Sequence, residues 1–414
     1  YVIVHSTEME LDYPAIGPEQ AGGSNVLTKY RGRGGVPVNG FLRRLAFAAK
    51  FMDLQILFTT AVTKDTKIIL NRYLPERFAA LAPWLMYDPD PYLVVADGRL
   101  VWMCDAYTVT NRFPYSRPAL NFVNYIRNSV KIVCDAYDGI PEYYVFDPTD
   151  PLIQCYQKVF PGLFKPFEQM PASLKQHIRY PQLLFTLQVQ IYADYHMKDP
   201  STFYQREDSW SIPVEKYATG QRPVEAYYVV MRLPGEKKPE FLLILPLTLR
   251  GREERNMVAW MAARCDLEHY GELIVYRLPK EVLCYGPMQI EIRIDQNGEF
   301  SKLNALWDQR GSRVIRGNLL AIPIDNSMLY VEPLYLVSTQ AGGETQAGLP
   351  ELRRVIAALG DRLAIGVTLD DALAKLFGHQ PPQPETLEVQ PEGPAAAQNA
   401  KQLLERALEL DEEA

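Results

Sequence analysis

Hydrophobic residues change their spacing several times along this chain, and each change marks an element. After an apolar opening over residues 1–7 that reads as a strand, residues 14–40 carry enough Gly and Pro to be expected as mostly loop. Phe41, Leu45, Ala48, Met52 and Ile56 then recur every three or four positions, which predicts a helix over 40–58. A short second helix is expected over 75–82, with Pro75 at its start, where a missing N–H costs nothing. Period two follows. Tyr92-Leu-Val-Val-Ala and Arg99-Leu-Val-Trp-Met-Cys104-Asp-Ala-Tyr107 flank Asp97-Gly98, a strong hairpin signal. The tetrapeptide returns as Cys134-Asp-Ala-Tyr137, followed by Asp138-Gly139 and a strand over 143–146. Two hairpins sharing a tetrapeptide are expected in one sheet, with Cys104 and Cys134 facing the core and Asp105 and Asp135 alternating outward.

Residues 151–222 read as mainly helical, with Leu184, Leu187, Ile191 and Tyr195 on one face of a helix that starts at Pro181 and stops before Asp199-Pro200. Strands resume over 226–233 and 240–247, around the Pro234-Gly235 turn. A helix is expected over 257–265, a strand over 273–278 and a helix over 301–309. Strands over 314–324 and 328–336 flank Asp325-Asn326-Ser327, and a strand over 352–358, a Gly360-Asp361 turn and a helix over 369–377 end the body. No regular βαβ rhythm connects these elements. The expected fold class is therefore α+β, with mixed, mostly antiparallel sheets and interspersed helices. The expected regions are 1–150, 151–222, 223–379 and a Pro-rich linker with an acidic tail helix over 380–414.

Composition changes the picture only at the edges. The 414 residues are 47% hydrophobic and 22% charged, which fits a globular chain and excludes a disordered or collagen-like one. The net charge of −7 is concentrated in the tail, where eight acids in 380–414 face only Lys401 and Arg406. No basic excess supports nucleic-acid binding. The longest apolar run, over 241–249, contains Pro246 and Thr248, far short of the ~20 apolar residues a spanning helix needs. Five Cys form no C-x-x-C pair, so neither a disulfide framework nor a zinc site is indicated. The opening Tyr-Val-Ile-Val-His, with no Met and no signal peptide, reads as a piece of something longer, and the acidic end as a natural terminus.

Longer motifs carry a resemblance. Arg33-Gly-Gly-Val-Pro37 running into Phe41-Leu-Arg-Arg44, Asp88-Pro-Asp-Pro-Tyr92, Asn124-Tyr-Ile-Arg-Asn-Ser-Val130 and Phe160-Pro-Gly-Leu-Phe-Lys165 are similar to segments of the UPF 0182 family, uncharacterised large bacterial membrane proteins. Trp307-Asp-Gln-Arg-Gly-Ser-Arg-Val-Ile-Arg-Gly317 and Tyr330-Val-Glu-Pro-Leu-Tyr335 add to it, and the likeness runs through about residues 1–378. The resemblance implies an intact multi-pass protein of the cell membrane, with this chain as the C-terminal portion of a large extracytoplasmic part. It supplies no activity, substrate, cofactor or catalytic residue.

Two cationic groups are the candidate chemistry. Between Gln20 and Met52 there is no acid, while Lys29, Arg31, Arg33, Arg43, Arg44 and Lys50 supply six cations. One reading is a solvated helix face, or cations paired with acids from elsewhere. The other is an electropositive patch facing anionic lipid headgroups or an acidic envelope polymer. Arg310, Arg313 and Arg316, with Gly311 and Gly317, suit either an anion-binding nest or Arg stems covering apolar surface. The acids around the two hairpins, Asp88 to Asp150, sit in turn-forming pairs and lack a calcium-loop spacing. G-x-S-x-G, H-E-x-x-H and the P-loop pattern are absent. The leading expectation is non-catalytic binding of an envelope component or protein partner, with no cofactor or metal and with homo-oligomers permitted. The rival is an envelope-acting hydrolase or transferase built from dispersed carboxylates or His, for which a deep pocket with convergent titratable groups would be the sign.

Overall fold

The alternation around Asp97-Gly98 folds as read. The computed structural model describes residues 2–6, 10–13, 26–120, 122–218, 220–251, 256–279, 283–307, 312–324, 327–338 and 349–378. The fold is α+β with mostly antiparallel sheets. The chain forms two compact units. The first holds residues 1–212, 225–250 and 259–277; the second holds the described residues within 213–224, 251–258 and 278–414.

The central sheet of the first unit runs in the order Phe164–Pro166, Pro141–Val145, Tyr125–Asp135, Arg99–Thr110, Met86–Tyr87, and Tyr92–Ala96 also pairs with Arg99–Thr110. The two echoed hairpins are neighbours in it, with Cys104 opposite Ile132 and Trp102 opposite Cys134. Cys104 and Cys134 are buried on the face packed by Phe78 and Ile153 of helices Leu74–Leu81 and Pro151–Val159. The opposite face is covered as well: Met103 and Val133 pack there against Met170, Leu174 and Ile178. That cover corrects one expectation. Asp135 is half-exposed and pairs with Arg99 at 2.8 Å, but Asp105 points into protein and is buried as an ion pair with Lys131. Alternation assigns a side; only packing decides whether that side is wet.

A second sheet, most of it in this unit, contains Trp210–Ser211, Pro239–Leu249, Met257–Arg264 and Leu273–Arg277, with Tyr227–Arg232 pairing with Pro239–Leu249. The helix expected over 257–265 is thus a strand. Met257–Arg264 lies between two neighbours and is buried on both faces, so its apolar run carries no period-two signal. Helix Gln182–Tyr195 forms, yet it buries Phe185, Leu187, Val189 and Ala193, while Ile191 and Tyr195 of the expected face are exposed. The helix expected over 40–58 breaks after Phe41–Phe51, because Met52 adopts the left-handed conformation (φ 52°); it resumes as Gln55–Phe58.

In the second unit, Ser312–Arg316, Ser327–Ser338, Glu351–Leu359 and Arg362–Gly366 form an antiparallel sheet, and Leu320–Ile324 pairs with Ser327–Ser338. The single strand expected over 314–324 is two strands parted at Gly317, whose N–H donates to Pro333 O at 2.9 Å. Helix Leu369–Phe377, capped by the Thr368 hydroxyl, buries Ala372 and Leu376 against Leu329 and Val331. Helix Gly298–Trp307 is preceded by Pro287–Gln296, which the sequence pattern does not announce. The Pro-rich stretch and acidic tail helix of 380–414 lie outside the described residues.

Candidate functional site

Lys29, Arg31 and Arg33 lie on the connection between strands Val26–Thr28 and Val36–Pro37. This connection is pinned to the second Asp-Gly turn through its backbone. The Arg31 N–H donates to the Tyr137 hydroxyl at 2.9 Å, and the Arg33 N–H to Asp138 Oδ1 at 2.9 Å. These bonds come from the backbone, and Lys29, Arg31 and Arg33 are exposed. Arg43 is exposed and donates to Asn39 Oδ1 at 3.1 Å, while half-buried Arg44 donates to Val62 O at 2.9 Å. Lys50 is exposed. Among the described residues, none of the six pairs with a carboxylate; the partners of the two helix arginines are neutral oxygens.

A cleft of about 620 Å³ opens beside the pinned connection, lined by Tyr30, Tyr73, Trp102, Tyr137 and Arg77 among others. Arg77 does not face it as a free cation. Its guanidinium donates to the carbonyls of Asn71 (2.8 Å), Leu70 (2.9 Å) and Gly139.

The second cationic group divides. Arg310 lies outside the described residues, Arg313 is half-buried, and Arg316 is buried. Arg316 Nε and Nη2 donate to the two oxygens of Glu332 at 2.5 and 2.7 Å, and Nη1 donates to Asp295 Oδ1 at 2.8 Å. Nη2 also meets Glu291. Lys216 pairs with Asp295, and Arg222 pairs with buried Glu215 at 3.1 Å. Four carboxylates and three cations, scattered over more than a hundred positions of sequence, thus converge. Burial and the neighbouring Glu332 charge push the Glu291 carboxyl up to about 8 despite Arg316, and burial raises Glu332 as well. The pair therefore retains a proton at neutral pH.

A cavity of about 520 Å³ adjoins this network, lined by Lys216, Asp295, Phe300, Asn304 and Arg316 among others. Convergent titratable groups beside a cavity are the pattern an acid–base site would need. Access decides against that reading. The side chains of Glu291 and Glu332 are both 0% exposed, so the group that holds the proton cannot meet a substrate. The Arg316 guanidinium is spent on carboxylates, and the network reads as a buried structural ion cluster.

The acids around the two hairpins disperse into separate structural roles. Asp88 accepts from the Tyr107 hydroxyl, Asp90 pairs with Arg179 at 2.6 Å, and Asp147 pairs with Arg127 at 3.3 Å. Asp150 caps helix Pro151–Val159. Among the described residues no group of three or more His, Cys, Asp or Glu is placed to hold a metal ion, and no helix is long and apolar enough to cross a membrane.

Comparison with known proteins places the chain. The family model described as "Uncharacterised protein family (UPF0182)" matches residues 1–307. The chain belongs to that family. A UPF0182 protein of Pelotomaculum thermopropionicum is 50% identical over 378 residues, covering 91% of this chain and 40% of the relative. One from Moorella thermoacetica is 47% identical over 416 residues, covering 100% of this chain and 44% of the relative. A third, from Methanospirillum hungatei, is 47% identical over 384 residues, covering 91% and 41%. The chain thus spans less than half the length of these curated relatives. No solved structure matches it.

Several motifs that carried the UPF0182 resemblance prove to be packing devices. Asp88 and Asp90 tie the turn before strand Tyr92–Ala96 to Tyr107 and Arg179. At Gly317 a side chain would press on Pro333, since a Cβ built there comes within 2.6 Å of Pro333 Cγ. The six cations of 29–50 are among the described cations without a partner of opposite charge, and they are set apart by coming from one stretch without acids. No catalytic spacing signals them; the absence of acids between Gln20 and Met52 does.

Proposed function

We propose that this UPF0182 chain is a non-catalytic binding module that docks on an anionic surface through Lys29, Arg31, Arg33, Arg43 and Lys50. The observation that carries this reading is their shared state: exposed, drawn from a stretch without acids, and unpaired with any described carboxylate. Cations held out of ion pairs retain their charge for an external partner, and each gains about 1 kcal/mol beside an anionic headgroup layer. Anionic lipid and an acidic envelope polymer share this phosphate or carboxylate chemistry. The surface in question would belong to the cell envelope, with the intact protein anchored in the membrane by sequence beyond this chain and this portion outside the cytoplasm. The share of each relative that lies beyond the matched region, more than half, supports such an anchor.

Vesicle co-sedimentation tests the reading. The 414-residue chain should bind vesicles containing anionic phosphatidylglycerol, bind neutral phosphatidylcholine vesicles more weakly, and lose affinity as salt rises and the Debye length shrinks. Replacing Lys29, Arg31, Arg33, Arg43 and Lys50 with Gln should remove the preference for anionic vesicles while leaving the circular dichroism spectrum unchanged. Equal binding to neutral and anionic vesicles, or an unaltered preference in that variant, would overturn it.

A further inference from the structure

Helix Phe41–Phe51 has two apolar sides, and only one of them is used by the fold. Its inner side places Ala48, with Phe47 and Phe51 partly buried, against Val38, Val62 and Ile68. Its outer side is also apolar: Phe41 is 71% exposed, Leu42 78% and Leu45 45%. At 100° per residue, Leu42, Leu45 and Ala49 run along the middle of this outer side, and Arg43 and Lys50 run along one flank of it. The apolar character continues past the break. Met52 is 94% exposed, Leu54 66% and Phe58 80%. Six large apolar side chains within 18 residues face water, whereas soluble surfaces scatter such residues singly. Met52 shows how this arises. Its left-handed backbone ends the first helix and starts a tight connection to Gln55–Phe58, so the later helix turns Ile56 inward and leaves Phe58 out.

We infer that this helical pair is an interfacial membrane anchor, with Phe41, Leu42 and Phe58 entering the headgroup–acyl boundary of an anionic bilayer while Arg43 and Lys50 remain among the headgroups. The inference rests on the electrostatic docking proposed above and selects lipid over polymer as its partner. Charge complementarity carries that choice. An apolar stripe with cations along one flank, in a stretch whose one acid from residue 21 to 58 is Asp53 at the helix break, is the pattern of a helix lying in a membrane interface. A soluble acidic polymer would satisfy the cations and leave the apolar row in water. A bilayer satisfies both, because removing apolar surface from water contributes about 25 cal/mol per Å² on top of the headgroup attraction. Cations alone would give binding that salt abolishes; the apolar row predicts a fraction that salt does not remove.

Two variants and a depth probe separate this inference from the reading it rests on. Phe41, Leu42 and Phe58 are each changed to Ser; all three are exposed, so folding should survive. On anionic vesicles in about 0.5 M salt this variant should bind about tenfold more weakly than the parent, a loss of roughly 1.4 kcal/mol. At low salt it should retain its preference for anionic over neutral vesicles. In a Cys155→Ser background, Leu42→Cys carrying an environment-sensitive fluorophore should shift to the blue on anionic vesicles and resist an aqueous quencher. If the Ser variant matches the parent at high salt and the label stays open to the aqueous quencher, insertion is refuted while electrostatic docking stands. If neither chain prefers anionic vesicles, the docking itself fails. A photo-crosslinker at position 42 that captures protein, whether a second copy or the remainder of a full-length relative, rather than lipid would show the row to be a protein interface and overturn the inference.

Discussion

Glu291 shows at the scale of one residue how burial turns a carboxylate into a pH-dependent element. Burial and the Glu332 charge outweigh Arg316 and push its carboxyl up to about 8 in the folded state, against about 4.3 in an unfolded chain. Between those values the folded state binds the extra proton. The stabilisation is therefore complete below the unfolded value and is lost as pH rises through the folded one. Thermal melts should show stability falling from pH 5.5 to pH 9. Glu291→Gln, which mimics the protonated side chain, should match the parent near pH 4, gain on it as the pH rises, and exceed it by several degrees at pH 9. Parallel profiles for the two proteins would mean that Glu291 is charged throughout. Neither its burial nor its partner Arg316, 25 positions along the chain, could be read from the surrounding Ile-Glu-Ile pattern. Period two places Glu332 on one face of its strand, but its burial and its bonds to Arg316, which also meets Glu291 of helix Pro287–Gln296, are set by packing.

Among elements, Asp150 is the tie between the echoed hairpins and the helix that covers them. It is fully buried and accepts five hydrogen bonds: from Leu152 and Ile153 N–H at 3.2 Å each, and from the hydroxyls of Thr108 (2.5 Å), Ser129 (2.7 Å) and Tyr125 (2.7 Å). One carboxylate thus closes the N-terminus of helix Pro151–Val159 and holds strands Arg99–Thr110 and Tyr125–Asp135 in register beneath it. Burial pushes its carboxyl up, but the hydroxyl and N–H donors prevail and hold it below the ordinary range. Asp150→Ala should cost about 3 kcal/mol, combining a lost cap of ~1 kcal/mol with buried hydroxyls left unpaired. Urea unfolding should report this as a lower midpoint at unchanged slope; a cost under about 1 kcal/mol would show that water replaces the carboxylate. The sequence reads Asp150-Pro151 as a turn-forming pair at the edge of a helical region; that Asp150 is the cap of a helix is decided by the fold. The three hydroxyl partners were not legible either, because each comes from a strand whose neighbours only the sheet defines.

For the whole molecule, the Pro-rich and acidic sequence of 380–414 predicts a tail that adds little to the stability of the body. Deleting it should move the melting temperature by less than about 2 °C; a loss of several degrees, on the order of 1–2 kcal/mol, would show that it docks. The sequence by itself determined the α+β class, the two hairpins and the burial of Cys104 and Cys134, because Asp-Gly turns and period-two alternation are local and survive in any packing. It also determined the cluster of cations, since an absence of acids needs no structure to be seen. Tertiary structure decided the rest. It made 257–264 a strand, since a segment buried on both sides has no period to declare. It buried Asp105 by covering the sheet's second face. It drew Glu215, Glu291, Asp295 and Glu332 around Arg316 and Arg222, and so withdrew Arg316 from any anion. It also turned the apolar row of Phe41, Leu42 and Leu45 outward, because the core beneath that helix is filled by Ala48, Ile56 and Val38. Spacing along a chain states which residues share a face; what lies against that face is set by elements far away in sequence.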